Sequence, residues 1–139
     1  MSRVINPNPP GKIRNRLKKV TALALRELMG ETEPSDRARD LAAFIVLSLD
    51  GIDETVNTTV TAWEKRDYWY KADRFRLEWA WAGNLAKKMR KAVLEQDWGQ
   101  IVQLAAKVGQ HLSDVSVSKR HRMGTPWVGA WKELNQQKK

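Results

Sequence analysis

Tyr68, Ala72, Phe75, Trp79, Ala82, Ala86, Met89 and Val93 follow one another in steps of 4, 3, 4, 3, 4, 3, 4. That rhythm keeps one stripe of an α-helix turned toward a partner for its whole length. No proline interrupts it, and the charges fall mostly off the stripe. A helix of this length spans roughly 40 Å, enough to be the backbone of a small domain.

Other stretches repeat the pattern. Ile13, Leu17, Val20, Ala24 and Leu28 predict a first helix over Lys12–Met29, with Gly30 as its stop and Arg14, Arg16, Lys18 and Lys19 off its stripe. Ser35 or Asp36 supplies the N-cap of a second helix. Its stripe runs Ala38, Ala42, Ile45, Leu49, Ile52, Val56, Thr59, Trp63, to about Arg66. Gly51 inside it costs roughly 1 kcal/mol against alanine and marks a kink or a close helix crossing. The third helix starts near Asp67 and reaches about Gln96. One continuous helix from Ser35 to Gln96 would be roughly 90 Å long, too long for a domain of this size, so a tight turn is placed at Lys65–Trp69. Asp97 caps a fourth helix carrying Trp98, Ile101, Ala105, Val108, Leu112 and Val115 and ending in Ser116–Ser118.

These readings predict an all-α fold, an antiparallel up-and-down four-helix bundle with two long central helices. Residues 12–118 form the bundle. Residues 1–11, with Pro7, Pro9 and Pro10, form an extended N-terminal arm. Residues 119–139 form a basic tail with a short helical piece in which Trp127, Val128, Trp131 and Leu134 share a side. The chain has no cysteine, no signal-like segment and no apolar run that would span a membrane, which fits a cytoplasmic protein.

The helices are unequal. Two of about 18 residues flank two of about 30, so both short helices cover the same end. The far end becomes a bare hairpin carrying Val56, Val60, Trp63, Tyr68, Trp69, Tyr70 and Phe75. An exposed apolar surface of that kind marks an interface. A second copy of the chain is its expected partner; the alternatives are the N-terminal arm or the Trp127–Trp131 tail folding over it.

The net charge is +9, concentrated as +4 in residues 1–34 and +5 in residues 119–139. Such an excess attracts polyanions. The candidate contacts are Arg14, Arg16, Lys18 and Lys19 on the first helix, Lys87, Lys88, Arg90 and Lys91 on the third, and Lys119, Arg120 and Arg122 in the tail. The end of the third helix and the start of the first are expected to make one phosphate-binding face. Tyr70, Arg74, Arg76 and Trp81 form a possible basic aromatic surface for stacking single-stranded bases.

Catalytic signals are weak. Asp50, Asp53, Glu54 and Asn57 share one face of the second helix, a spacing that could hold a divalent metal if other helices supplied carboxylates. The apolar stripe beside them places Asp50 and Asp53 toward water. His111 and His121 have no glutamate three residues before them, which excludes the bundle di-iron pattern. No phosphate loop or nucleophile elbow occurs. The sequence therefore predicts a non-catalytic binding or adaptor protein, a homodimer without a cofactor, that contacts nucleic acid backbone or a protein partner. A purely structural protein and a metal-dependent hydrolase are the alternatives.

Overall fold

The computed structural model describes residues 9–137. They form five helices and no strand: α1 (Pro10–Met29), α2 (Asp36–Lys65), α3 (Trp69–Leu94), α4 (Trp98–His111) and α5 (Ala130–Gln137). No helix among them is long and apolar enough to cross a membrane.

Helix α1 begins two residues earlier than the periodicity predicts, because Pro10 occupies its first turn, where a missing N–H costs nothing. Pro10 and Gly11 thus belong to the helix, and the rest of the predicted arm, apart from Pro9, lies outside the described residues. Ser35 caps α2 by accepting a hydrogen bond from the Ala38 N–H. Asp97 caps α4 by accepting from Gln100. Helix α4 ends at His111, short of the predicted Ser116, and a turn at Leu112–Asp114 leads the chain away.

The long helices are joined by Arg66, Asp67 and Tyr68, where the sequence placed a tight turn. The Tyr68 N–H reaches back to the Trp63 carbonyl at 2.9 Å and the Asp67 N–H to the Glu64 carbonyl at 3.0 Å, closing the last turn in a Schellman arrangement. Asp67 takes a left-handed φ of 62° to do so.

Helix α2 is the centre of the molecule. It touches α1, α3 and α5, while α4 lies on α3. Between Leu41 and Leu49 only Phe44 and Leu47 are not fully buried. A helix that is apolar all round belongs inside a ring of neighbours, and this one has them. Its course is continuous through Gly51, so that glycine marks a crossing and not a break. A Cβ there would lie 2.9 Å from Leu17 Cδ1, so a larger residue would force the Leu17 side chain of α1 to shift. The pairs Arg14–Thr55 and Thr21–Ser48 run α1 antiparallel to α2, and Asp50–Arg90 and Trp63–Phe75 do the same for α3.

The C-terminal segment folds back, but onto the end opposite the hairpin turn. Asp40 on α2 accepts from the N–H groups of Gly129 and Trp131, which caps α5 across the molecule. Trp127 and Leu134 are buried there, whereas Val128, expected on the same side, is 72% exposed. The tail therefore does not cover the hairpin.

Candidate functional site: separate basic patches beside a row of rings

The inner line of α1 is partly polar. Arg14 is buried, with 8% of its surface exposed. Its Nε donates to Thr55 Oγ1 at 3.1 Å, and its Nη2 donates to the Thr55 carbonyl oxygen at 3.1 Å and to Thr59 Oγ1 at 2.9 Å. Its guanidinium carbon lies 4.8 Å from the centre of the Phe75 ring and 5.6 Å from that of Trp79. Acceptors and π-faces take the place of a carboxylate, and burial pushes the guanidinium below its ordinary pKa. Arg14 is thus a structural residue, and its assignment to a polyanion surface is corrected. Thr59, a polar residue on the stripe of α2, is there as an acceptor for Arg14.

Arg14 sits beside a row of rings. Trp63 meets Phe75 edge-on at 5.0 Å, Phe75 lies 6.2 Å from Trp79, and Trp79 lies 5.9 Å from Trp81. Trp81 stacks on His111 at 4.3 Å with the planes 2° apart. Lys18 stands 5.6 Å above Trp79, and Lys71 stands 4.4 Å above Trp63. The row joins α2, α3 and α4. Each ring packs against the next, and only His111 at the end of the row is exposed. Periodicity places Trp63 on the stripe of the second helix and Phe75 and Trp79 on that of the third. It missed Trp81 and His111 as members, because their contact crosses between helices.

The hairpin differs from expectation in one respect. Val56 and Val60 are buried with Ala72 in a small second core, with Trp63 and Phe75 packed against it. They leave no free surface to a partner. Tyr68, Trp69 and Tyr70 remain outside, at 49%, 55% and 73% exposed. The predicted basic aromatic surface also divides: Arg74 lies over Tyr70, but Arg76 is held by Glu64 and Asp73.

Among the predicted cations, Arg90 is engaged as well, by Asp50 and by Gln137 Oε1. Arg16, Lys19, Lys87, Lys88, Lys91, Lys119, Arg120 and Arg122 are exposed, and none makes an ion pair among the described residues. They do not form one face. Arg14 and Lys18 fix the start of α1 level with Phe75 and Trp79, and Lys87–Lys91 lie about 12–18 Å farther along α3. The expected union of the two helices' charges is replaced by separate patches on α1, on α3 and after α4.

The acidic face of α2 is mixed: Glu54 and Asn57 are exposed, but Asp50 and Asp53 do not stand free in water. Asp50 is half-buried against Arg90, and Asp53 lies over Gly83, where a Cβ would come within 2.8 Å of its Oδ1. Burial raises the Asp50 pKa above its ordinary value; Arg90 opposes that shift, and Asp53 and Glu54 add to it. No group of three His, Asp or Glu side chains that could hold a metal ion occurs among the described residues. Asp50, Asp53, Glu54 and Asn57 therefore meet no facing carboxylate that would complete a ligand set.

Comparison of the chain with protein-family models, with curated proteins and with solved structures finds no match.

Proposed function

We propose that the protein is a non-catalytic, cytoplasmic binding or adaptor protein whose surface cations engage the phosphate backbone of nucleic acid, on a scaffold of up-and-down antiparallel helices. The observation that carries this reading is the sorting of its charges. Arg26, Arg37, Arg39, Arg76 and Arg90 are matched by carboxylates. The eight exposed cations named above have no such partner among the described residues. Unmatched cations on a chain of net charge +9 favour counterion-releasing contact with a polyanion. Because the patches are separate, the contacts follow backbone and not base sequence.

The test is fluorescence anisotropy of labelled single- and double-stranded DNA and RNA at about 50 and about 200 mM salt. Micromolar or tighter binding that weakens steeply with salt is expected. Changing Lys87, Lys88 and Lys91 together to Ala should lower the slope of log K against log salt by about 2 to 3. Absence of binding at the lower salt would reduce the charge to a role in solubility and leave the structural reading in its place.

A further inference from the structure

One line of α3 outlasts the helix that covers it. Leu85 and Ala92 on that line are buried, and Trp81 is stacked on His111, the last residue of α4. The line then continues past the end of α4 through Leu77, Arg74 and Tyr70. Leu77 is 77% exposed and Tyr70 is 73% exposed, the highest values for large apolar side chains among the described residues. Leu77 and Tyr70 together leave an apolar strip on this line of α3 without a cover.

The charges beside Leu77 indicate the partner. Arg74 and Glu78 are four residues apart on one helix, a spacing that permits an ion pair, yet they do not form one. Arg74 is turned back over Tyr70, donating from Nη1 to the Tyr70 hydroxyl at 2.9 Å. Neither residue is in an ion pair among the described residues, whereas the neighbouring Asp73 and Arg76 satisfy each other. Along α3, Leu77 is thus preceded by an unmatched cation one turn before it and followed directly by an unmatched anion. Such a surface is complementary to itself. Rotated by 180° about an axis perpendicular to α3 at the level of Arg76, a second copy presents its Glu78 to Arg74 and its Trp81 to Tyr70, and the two Leu77 side chains meet near the centre. A polyanion would gain nothing from Leu77, and both a polyanion and an anionic lipid surface would be repelled by Glu78.

We propose that this face of α3 is the seat of a symmetric, antiparallel homodimer of the chain. The contact covers about three helical turns, less than a standard interface, so the affinity falls in the micromolar range. The proposal is independent of the nucleic-acid reading.

Sedimentation velocity of the full chain from about 1 to about 200 μM tests it. The wild type should pass from monomer to dimer across that range. Arg74→Glu and Glu78→Arg should each weaken self-association by about tenfold or more, since each sets like charges opposite one another. The two variants mixed in equal amounts should form a heterodimer, because an all-acidic face then meets an all-basic one. The double variant R74E/E78R should dimerise again. All of these positions are exposed, so far-ultraviolet circular dichroism should remain that of the wild type. A wild type that stays monomeric overturns the proposal, as does a dimer indifferent to both reversals or variants that fail to pair on mixing. Those outcomes would assign the face to a different occupant.

Discussion

Arg14 grips Thr55 twice, through its hydroxyl and through its backbone carbonyl, each at 3.1 Å. The grip fastens the start of α1 to the second half of α2 without any carboxylate. Cutting Arg14 to Ala removes the charged donor, its hold on Thr59, and its stacking on Phe75. We expect a loss of about 2–3 kcal/mol in urea denaturation. Arg14→Lys should recover only part of it, because an ammonium cannot reproduce the planar fork that reaches two threonines. Nucleic-acid affinity per folded molecule should not change. A loss of affinity with unchanged stability would return Arg14 to the binding surface.

The turns between helices offer a gain. Gln96 adopts a φ of 54° after α3, where the Asp97 N–H reaches the Ala92 carbonyl at 2.9 Å and the Gln96 N–H reaches that of Val93 at 3.0 Å. This is the left-handed position of a Schellman turn, which glycine fills without a Cβ penalty. Gln96→Gly should raise stability by about 1 kcal/mol. Asp67→Gly at the equivalent position after α2 should gain less, since aspartate tolerates this conformation better than glutamine. Thermal unfolding of both variants checks the order.

Asp40 holds the C-terminal segment. Its two carboxylate oxygens accept from Gly129 and Trp131, filling the role of an N-cap for α5 from 90 residues away in the chain, to within one. Asp40→Ala should weaken the docking of α5 by about 1–2 kcal/mol. Limited proteolysis should then cut between Leu112 and Gly129 faster than in the wild type, with α1 to α3 left intact. Equal cutting rates would mean that Trp127 and Leu134 dock the segment without the cap.

The pattern of apolar residues made the four longer helices and their order legible, because a 3.6-residue period needs only the local sequence. What it concealed depends on contacts between helices. The inner line of α1 includes Arg14 and Thr21, which periodicity assigns to the outside by polarity. Thr21 is nevertheless buried; its hydroxyl donates to the Leu17 carbonyl at 2.6 Å and lies in hydrogen-bond contact with Ser48 Oγ at 2.8 Å. Conversely, Val56 and Val60 were expected at an interface because the ends of the long helices looked uncovered, but α2 and α3 bury them against Ala72. The all-round apolar run Leu41–Leu47 was the available sign that α2 is central; read as one stripe, it left no place for α5. The charge patches were visible residue by residue. Their separation was not, since it depends on the level at which α1 meets α3.

Asp50 gives a pH signature with a definite sign. Burial beside Arg90 leaves its folded pKa above the ordinary carboxylate value. The folded protein therefore holds this proton more tightly than the unfolded chain does, and folding takes up protons between the two pKa values. The stabilising contribution of Asp50 is complete below the unfolded value, about 3.9 for aspartate. It declines as pH rises through the folded value and is level above it. Asp50→Asn removes this dependence. Denaturation of wild type and variant from about pH 3 to about pH 7 should show the wild type's stability relative to the variant falling with rising pH. A relative stability that rises instead would mean that the pairing with Arg90 outweighs the burial of the carboxylate. The Arg90→Ala variant should then move the folded pKa of Asp50 further upward, because it leaves burial unopposed by a facing cation.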